Sequence, residues 1–106
     1  MKIERIKFER AGGFAGMRLS AEFELDDLPD DQARQLIELL DDLDFDELPE
    51  RMLAPSPQPD AFTYTLTVET ERGKHTVVTD DASSSDKMRS LLELLTRLAR
   101  QRTRKN

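Results

Sequence analysis

Between Met17 and Leu25 the chain alternates without a break: Met17, Leu19, Ala21, Phe23 and Leu25 stand against Arg18, Ser20, Glu22 and Glu24. Successive side chains of a strand point to opposite faces, so this run predicts a strand with one buried and one wet face. Such a strand belongs to an antiparallel sheet covered on one side, because parallel sheets are covered on both and read as continuous apolar runs. The helices of the chain must then share a single face of that sheet.

The flanking segments fit this constraint. Ile3, Ile6 and Phe8 predict a first strand whose imperfect alternation points to a bulge, and Gly12-Gly13-Phe14-Ala15-Gly16 joins it to the second as a hairpin. Leu28-Pro29-Asp30-Asp31 is a helix start, with proline at the first helical position and acids at the positive end of the dipole. Ala33, Leu36, Ile37, Leu40 and Leu43 follow at helical spacing to an end near Asp44, and Phe45 and Leu48 add a further apolar contact. Residues 49–61 read as the one long loop, because Pro49, Pro55, Pro57 and Pro59 deny it both helix and central-strand pairing.

Phe62, Tyr64, Leu66 and Val68 alternate with threonines, Arg72-Gly73 turns the chain, and Lys74 to Thr79 returns as a strand. Ser83-Ser84-Ser85-Asp86 supplies an N-cap for a last helix that carries Met88, Leu91, Leu92, Leu95 and Leu98 on one face. The predicted fold class is α+β in the order ββαββα, a four-stranded antiparallel sheet with two helices on one face. Leu19, Phe23, Leu36, Leu40, Tyr64, Leu66, Leu92 and Leu95 are the expected core. Residues 1–101 form one domain, and residues 102–106 are expected to be a basic, poorly ordered tail without an apolar anchor.

Composition narrows the function. Of the 106 residues 37% are hydrophobic and 36% charged, so the core is modest and the surface densely ionised. The absence of cysteine excludes disulfides and thiolate zinc sites. A formal charge of −6 argues against nucleic acid as the main partner, since phosphate binding needs a basic face. The segment from Asp26 to Glu50 is dense in acids with Arg34 as its only base, while Arg97, Arg100, Arg102, Arg104 and Lys105 make the end of the chain basic. These read as a solvated helix face and a solubilising tail. Met1-Lys2-Ile3-Glu4-Arg5 contains no continuous apolar run and no stretch reaches membrane-spanning length, so the expectation is a cytoplasmic protein with no membrane partner and no cofactor, monomeric when free.

Catalytic and metal patterns are weak. His75, the only histidine, falls in a strand and reads as structural or solvent-facing. Asp42-Leu43-Asp44-Phe45-Asp46 opens like a calcium loop, but Glu47 stands where the tight turn needs glycine and Leu53 where a bidentate glutamate belongs. Gly12-Gly13-Phe14-Ala15-Gly16 lacks a following Lys-Ser/Thr and opens no helix, so it is not a phosphate loop. Its glycines allow Phe14 either to stand at a hairpin tip or to fold back on the sheet edge. In the proline-stiffened loop Asp60 either caps a turn or is presented to a partner's cation; a stiff loop loses little entropy on docking.

Taken together these segments resemble the emfourin family, small bacterial inhibitors of thermolysin-like metalloproteases of the protealysin type. The resemblance is carried by Phe8-Glu9-Arg10 leading into Gly12-Gly13-Phe14-Ala15-Gly16 and by Asp27-Leu28-Pro29. It continues in Asp44-Phe45-Asp46-Glu47-Leu48-Pro49, Pro59-Asp60-Ala61-Phe62-Thr63-Tyr64, Leu66-Thr67-Val68-Glu69 and Lys74-His75-Thr76-Val77. Two segments depart from it: Asp80 to Ser85 is richer in serine and Met52 to Gln58 richer in proline, which bears on affinity and target preference.

The resemblance implies a non-enzymatic protein that blocks a protease cleft with two loops. Gly13, Phe14, Ala15, Gly16 and Met17 would contact the protease from one loop, and Pro59, Asp60 and Phe62 from the other. Asp60 would approach the protease's zinc, with Asp80 and Asp81 in reserve, and Phe14, Ala15 or Met17 would fill its apolar pocket. The alternative is a non-catalytic regulatory or adaptor domain that docks another protein by its sheet edge or acidic helix.

Overall fold

The computed structural model describes residues 2–12, 17–53, 61–81 and 83–103. Its strands are β1 (Ile3–Gly12), β2 (Met17–Glu24), β3 (Arg51–Met52), β4 (Phe62–Thr70) and β5 (Gly73–Asp80), and its helices are α1 (Asp30–Leu43) and α2 (Asp86–Thr103). They form one sheet in the order β2-β1-β4-β5-β3. β1 lies between β2 and β4, antiparallel to β2 through Ile6↔Phe23 and Phe8↔Ala21 and to β4 through Ile6↔Val68 and Phe8↔Leu66. The irregularity expected near its start is a register shift between Ile3 and Arg5.

The wet-face argument holds. Ile6, Phe8, Phe23, Leu66, Val68 and Val77 of the sheet join Leu36 and Leu40 of α1 and Leu91 and Leu95 of α2 in one buried cluster. The other face carries Arg5, Lys7 and Glu22 with the β4 threonines; Arg5 meets Glu24 at 2.7 Å and Lys7 meets Glu69 at 3.6 Å. Such half-exposed pairs add little stability, but they keep the open face soluble.

The sheet has five strands rather than four, and it is not wholly antiparallel. β3 lies parallel to β5 through Arg51↔Val78 and Met52↔Thr79. The Val78 amide donates to the Glu50 carbonyl at 2.8 Å and the Thr79 hydroxyl to the Met52 carbonyl at 3.0 Å. A two-residue edge strand has no alternation to display, and it lies between Pro49 and Pro55, so residues 49–61 looked like loop throughout. The His75 ring fastens the same connection: its Nε2 lies 2.8 Å from the Leu48 carbonyl oxygen, which can only accept, and its edge meets the Phe45 ring. That is the structural role expected of a lone strand histidine.

Helix ends follow local chemistry. Pro29 is the residue before α1 rather than its first, with ψ 145°, and its carbonyl accepts from the Ala33 amide at 3.0 Å. Asp44 ends α1 in the left-handed region at φ 50°, its amide bonded to the Leu40 and Asp41 carbonyls, and the reversal delivers Phe45 into the core. The Ser85 hydroxyl accepts the Met88 amide at 3.2 Å and caps α2. α2 extends through Thr103, two residues beyond the expected domain end, and Arg104 to Asn106 lie outside the described residues.

Of the expected core, Phe23, Leu36, Leu40, Tyr64, Leu66, Leu92 and Leu95 are buried, whereas Leu19 is only half-buried. At the level of Leu19 the helix-covered face opens onto a cleft, so the residue packs against the core on one side only. Because Leu95 is fully buried in that cluster, Leu95→Ala is expected to cost about 2–5 kcal/mol in urea unfolding. Lys87→Ala, exposed on the same helix, should stay within about 0.5 kcal/mol.

Candidate functional site

The flanks of both suspected contact loops meet at one end of the sheet. Gly12, the last residue of β1, pairs with Met17 across the hairpin and with Phe62 at the start of β4. Gly12 has φ +108°, and a Cβ placed on it would stand 2.8 Å from the Ala61 carbonyl oxygen. Only glycine tolerates both that dihedral and that approach, so the base of the 13–16 turn sits against the exit of the 54–60 loop. Leu53, at the entrance to that second loop, is 37% exposed and is the one large exposed hydrophobic side chain among the described residues. Gly13, Phe14, Ala15, Gly16, Pro59 and Asp60 lie outside the described residues, and Met17 is described by its backbone alone.

A polar clamp holds this end together. Asp81, just past β5, accepts the Phe62 amide on one carboxylate oxygen at 3.1 Å and the Tyr64 hydroxyl on the other at 3.0 Å. Arg10 covers the half-buried Phe62 ring, its guanidinium carbon 4.2 Å from the centroid. Neighbouring Asp80 is buried and accepts the Ser83 amide at 2.8 Å on its carboxylate, while its carbonyl accepts the Ser84 hydroxyl at 2.7 Å. Of the sequence-predicted contacts, Phe62 therefore anchors a loop base, and both reserve aspartates are engaged by this chain's own groups.

Burial pushes the Tyr64 phenol up to about 12, aided by its hydrogen bond to Asp81 and by the Asp81 charge, with the Arg10 charge opposing. Among the described residues no group of three or more His, Cys, Asp or Glu side chains is arranged to hold a metal, and Asp42, Asp44 and Asp46 are not gathered into one.

The sequence model of the Emfourin family matches residues 8–96. The chain belongs to the Emfourin family. Membership implies, at the level of the family, a protein inhibitor of metalloproteases. Neither the comparison with curated proteins nor that with solved structures returned a match. The matched span runs from Phe8 in β1 to Thr96 in α2 and includes both loops and the clamp.

Sequence reasoning missed the clamp and the cleft beside it. A signal was present in β1, where Arg10 occupies the inward position that follows Ile6 and Phe8. A charge there demands a partner on the covered face. Another was the recurrence of Arg89, Arg97 and Arg100 near helical spacing, of which Arg97 and Arg100 were read only as part of a basic end.

Tyr64 is the only tyrosine and the chain has no tryptophan, so tyrosinate absorbance reports this one site. Its ionisation midpoint should lie about 2 units above an ordinary phenol's and fall, while staying raised, in Asp81→Asn. The raised value favours folding fully below pH 10, and that stability is lost as pH rises from 10 to about 12. Equal midpoints in parent and variant would leave burial as the sole cause.

Proposed function

We propose that this chain inhibits a thermolysin-like, protealysin-type zinc metalloprotease by inserting its 13–16 and 54–60 loops into the active-site cleft. The observation that carries the reading is the meeting of the two loop bases, through Gly12, Met17, Ala61 and Phe62, at one end of the sheet. Two loops rooted side by side can occupy neighbouring subsites, and the prolines at 55, 57 and 59 lower the entropy that the second loses on docking.

In this reading Asp60 is the ligand to the protease's zinc, a metal whose catalytic sites keep one position open for water or substrate. Asp80 and Asp81 are held by internal hydrogen bonds, which supports Asp60 as the acid left to present outward. Phe14, with Ala15 or Met17, fills the apolar pocket, and the exposed Leu53 extends the contact. The free inhibitor is a monomer that guards the cell interior against its own protease.

Inhibition constants against a thermolysin-like protease test these roles. Phe14→Ala should weaken inhibition by about 2 kcal/mol or more, with little change in thermal stability. Asp60→Asn and Asp60→Ala should weaken it by about 2–5 kcal/mol. Normal inhibition by the Asp60 variants would rule out zinc ligation from this loop, and parallel losses of stability and binding in Phe14→Ala would mean a phenylalanine packed on its own sheet.

A further inference from the structure

Beside the loop end lies a cleft of about 980 Å³ between the covered face of the sheet and the outer flank of α2. Leu19, Arg10 and Tyr64 contribute from the sheet, and Leu92 from the helix. Its charge is opposite to that of the molecule: five arginines line it against two carboxylates, in a chain of net charge −6. Three of the five, Arg89, Arg97 and Arg100, stand exposed along α2. Among the described residues no ion pair joins these three to a carboxylate; the pairs present involve Arg5, Lys7 and Arg18. Arg97 and Arg100 also lie beyond the span matched by the family.

We infer that this cleft docks an extended acidic segment of the target metalloprotease, carboxylates on the α2 arginines and an apolar side chain on the half-buried Leu19. The inference rests on the inhibitor reading. Guanidinium forks match carboxylates two bonds at a time, and helical rise spreads Arg89 to Arg100 over about 16 Å, the span of about five extended residues. The half-buried Leu19 favours a peptide over a bare polyanion, which has nothing to bury there. A long nucleic acid would also meet the acid-dense α1, whereas a short segment lies within about one Debye length, roughly 8 Å, of the arginines. Tyr64 and Asp81 belong to both clamp and cleft, so the groove adjoins the base of the proposed contact loops. The arginines would act mainly by steering approach, which raises the association rate and makes it salt-sensitive.

The test compares association rates with a thermolysin-like protease at low and at physiological salt. Arg97→Glu/Arg100→Glu is set against Arg34→Glu/Lys74→Glu, an equal charge change at exposed positions outside the cleft. The cleft variant should associate about tenfold or more slowly at low salt, with unchanged melting temperature and a flattened salt dependence; the control should stay within about twofold. Equal losses in both variants would reduce the effect to net charge and overturn the docking site. Parent-like association of the cleft variant, with the parent inhibiting, would overturn this inference alone. Failure of the parent to inhibit would sink the inhibitor reading and this inference with it. Loss of oligonucleotide binding or of self-association in the cleft variant, with inhibition intact, would overturn it in favour of that occupant.

Discussion

Burial of one face of the β1–β4 pair is the constraint on which the remaining structure depends. Phe8 faces Leu66 and Ile6 faces Val68, and on these rows β2 and β5 add Phe23 and Val77. Burying that apolar face requires a cover, and Leu36 and Leu40 of α1, Phe45 beyond it, and Met88 with the leucines of α2 supply it. A chain with this modest share of hydrophobic residues has none to spare for the second face, which remains charged and threonine-rich. The local devices serve the same end: the Asp44 reversal turns Phe45 inward, and the Ser85 cap starts α2 where it can cross the sheet.

Two helices do not cover the whole face. α1 packs against α2, and the end of the sheet carrying Gly12, Phe62 and Tyr64 is left to other interactions. There the chain substitutes a polar clamp for apolar cover. Asp81 ties the start of β4 to the end of β5, and Arg10 uses the Phe62 ring as its floor. Tyr64 is buried, so its hydroxyl would be costly to leave without the Asp81 oxygen that it reaches. The clamp holds Phe62, where the chain returns to the sheet after residues 54–60, against Arg10 near the end of β1.

The fold was legible where periodicity is long. β2, β4 and both helices declare themselves by runs of alternating or helical spacing, and the predicted core failed only at Leu19, whose neighbourhood opens into the arginine-lined cleft. β3 was illegible because a two-residue strand has no period, and what creates it is the neighbouring backbone of β5 together with the Thr79 hydroxyl. The site was half legible. Glycines and prolines mark the two loops, but the reserve role given to Asp80 and Asp81 treated them as free loop acids. Their hydrogen bonds to Ser83, Phe62 and Tyr64 are contacts made by the fold.

The sequence by itself determined the one-sided sheet, the helix boundaries to within a residue or two, the absence of thiol chemistry and, through the order and spacing of its segments, the family. Those properties are local or compositional: each follows from side-chain period, cap chemistry or the absence of a residue type. Only the tertiary structure decided that the two loop bases share one end, that Asp81 is a clamp, and that arginines from β1, β2 and α2 line one cleft on an acidic protein. Arg10 and Arg100 are distant in sequence and carry no mark of each other. They become neighbours across the cleft because α2 must lie over the apolar face of the sheet, and that packing requirement operates in three dimensions.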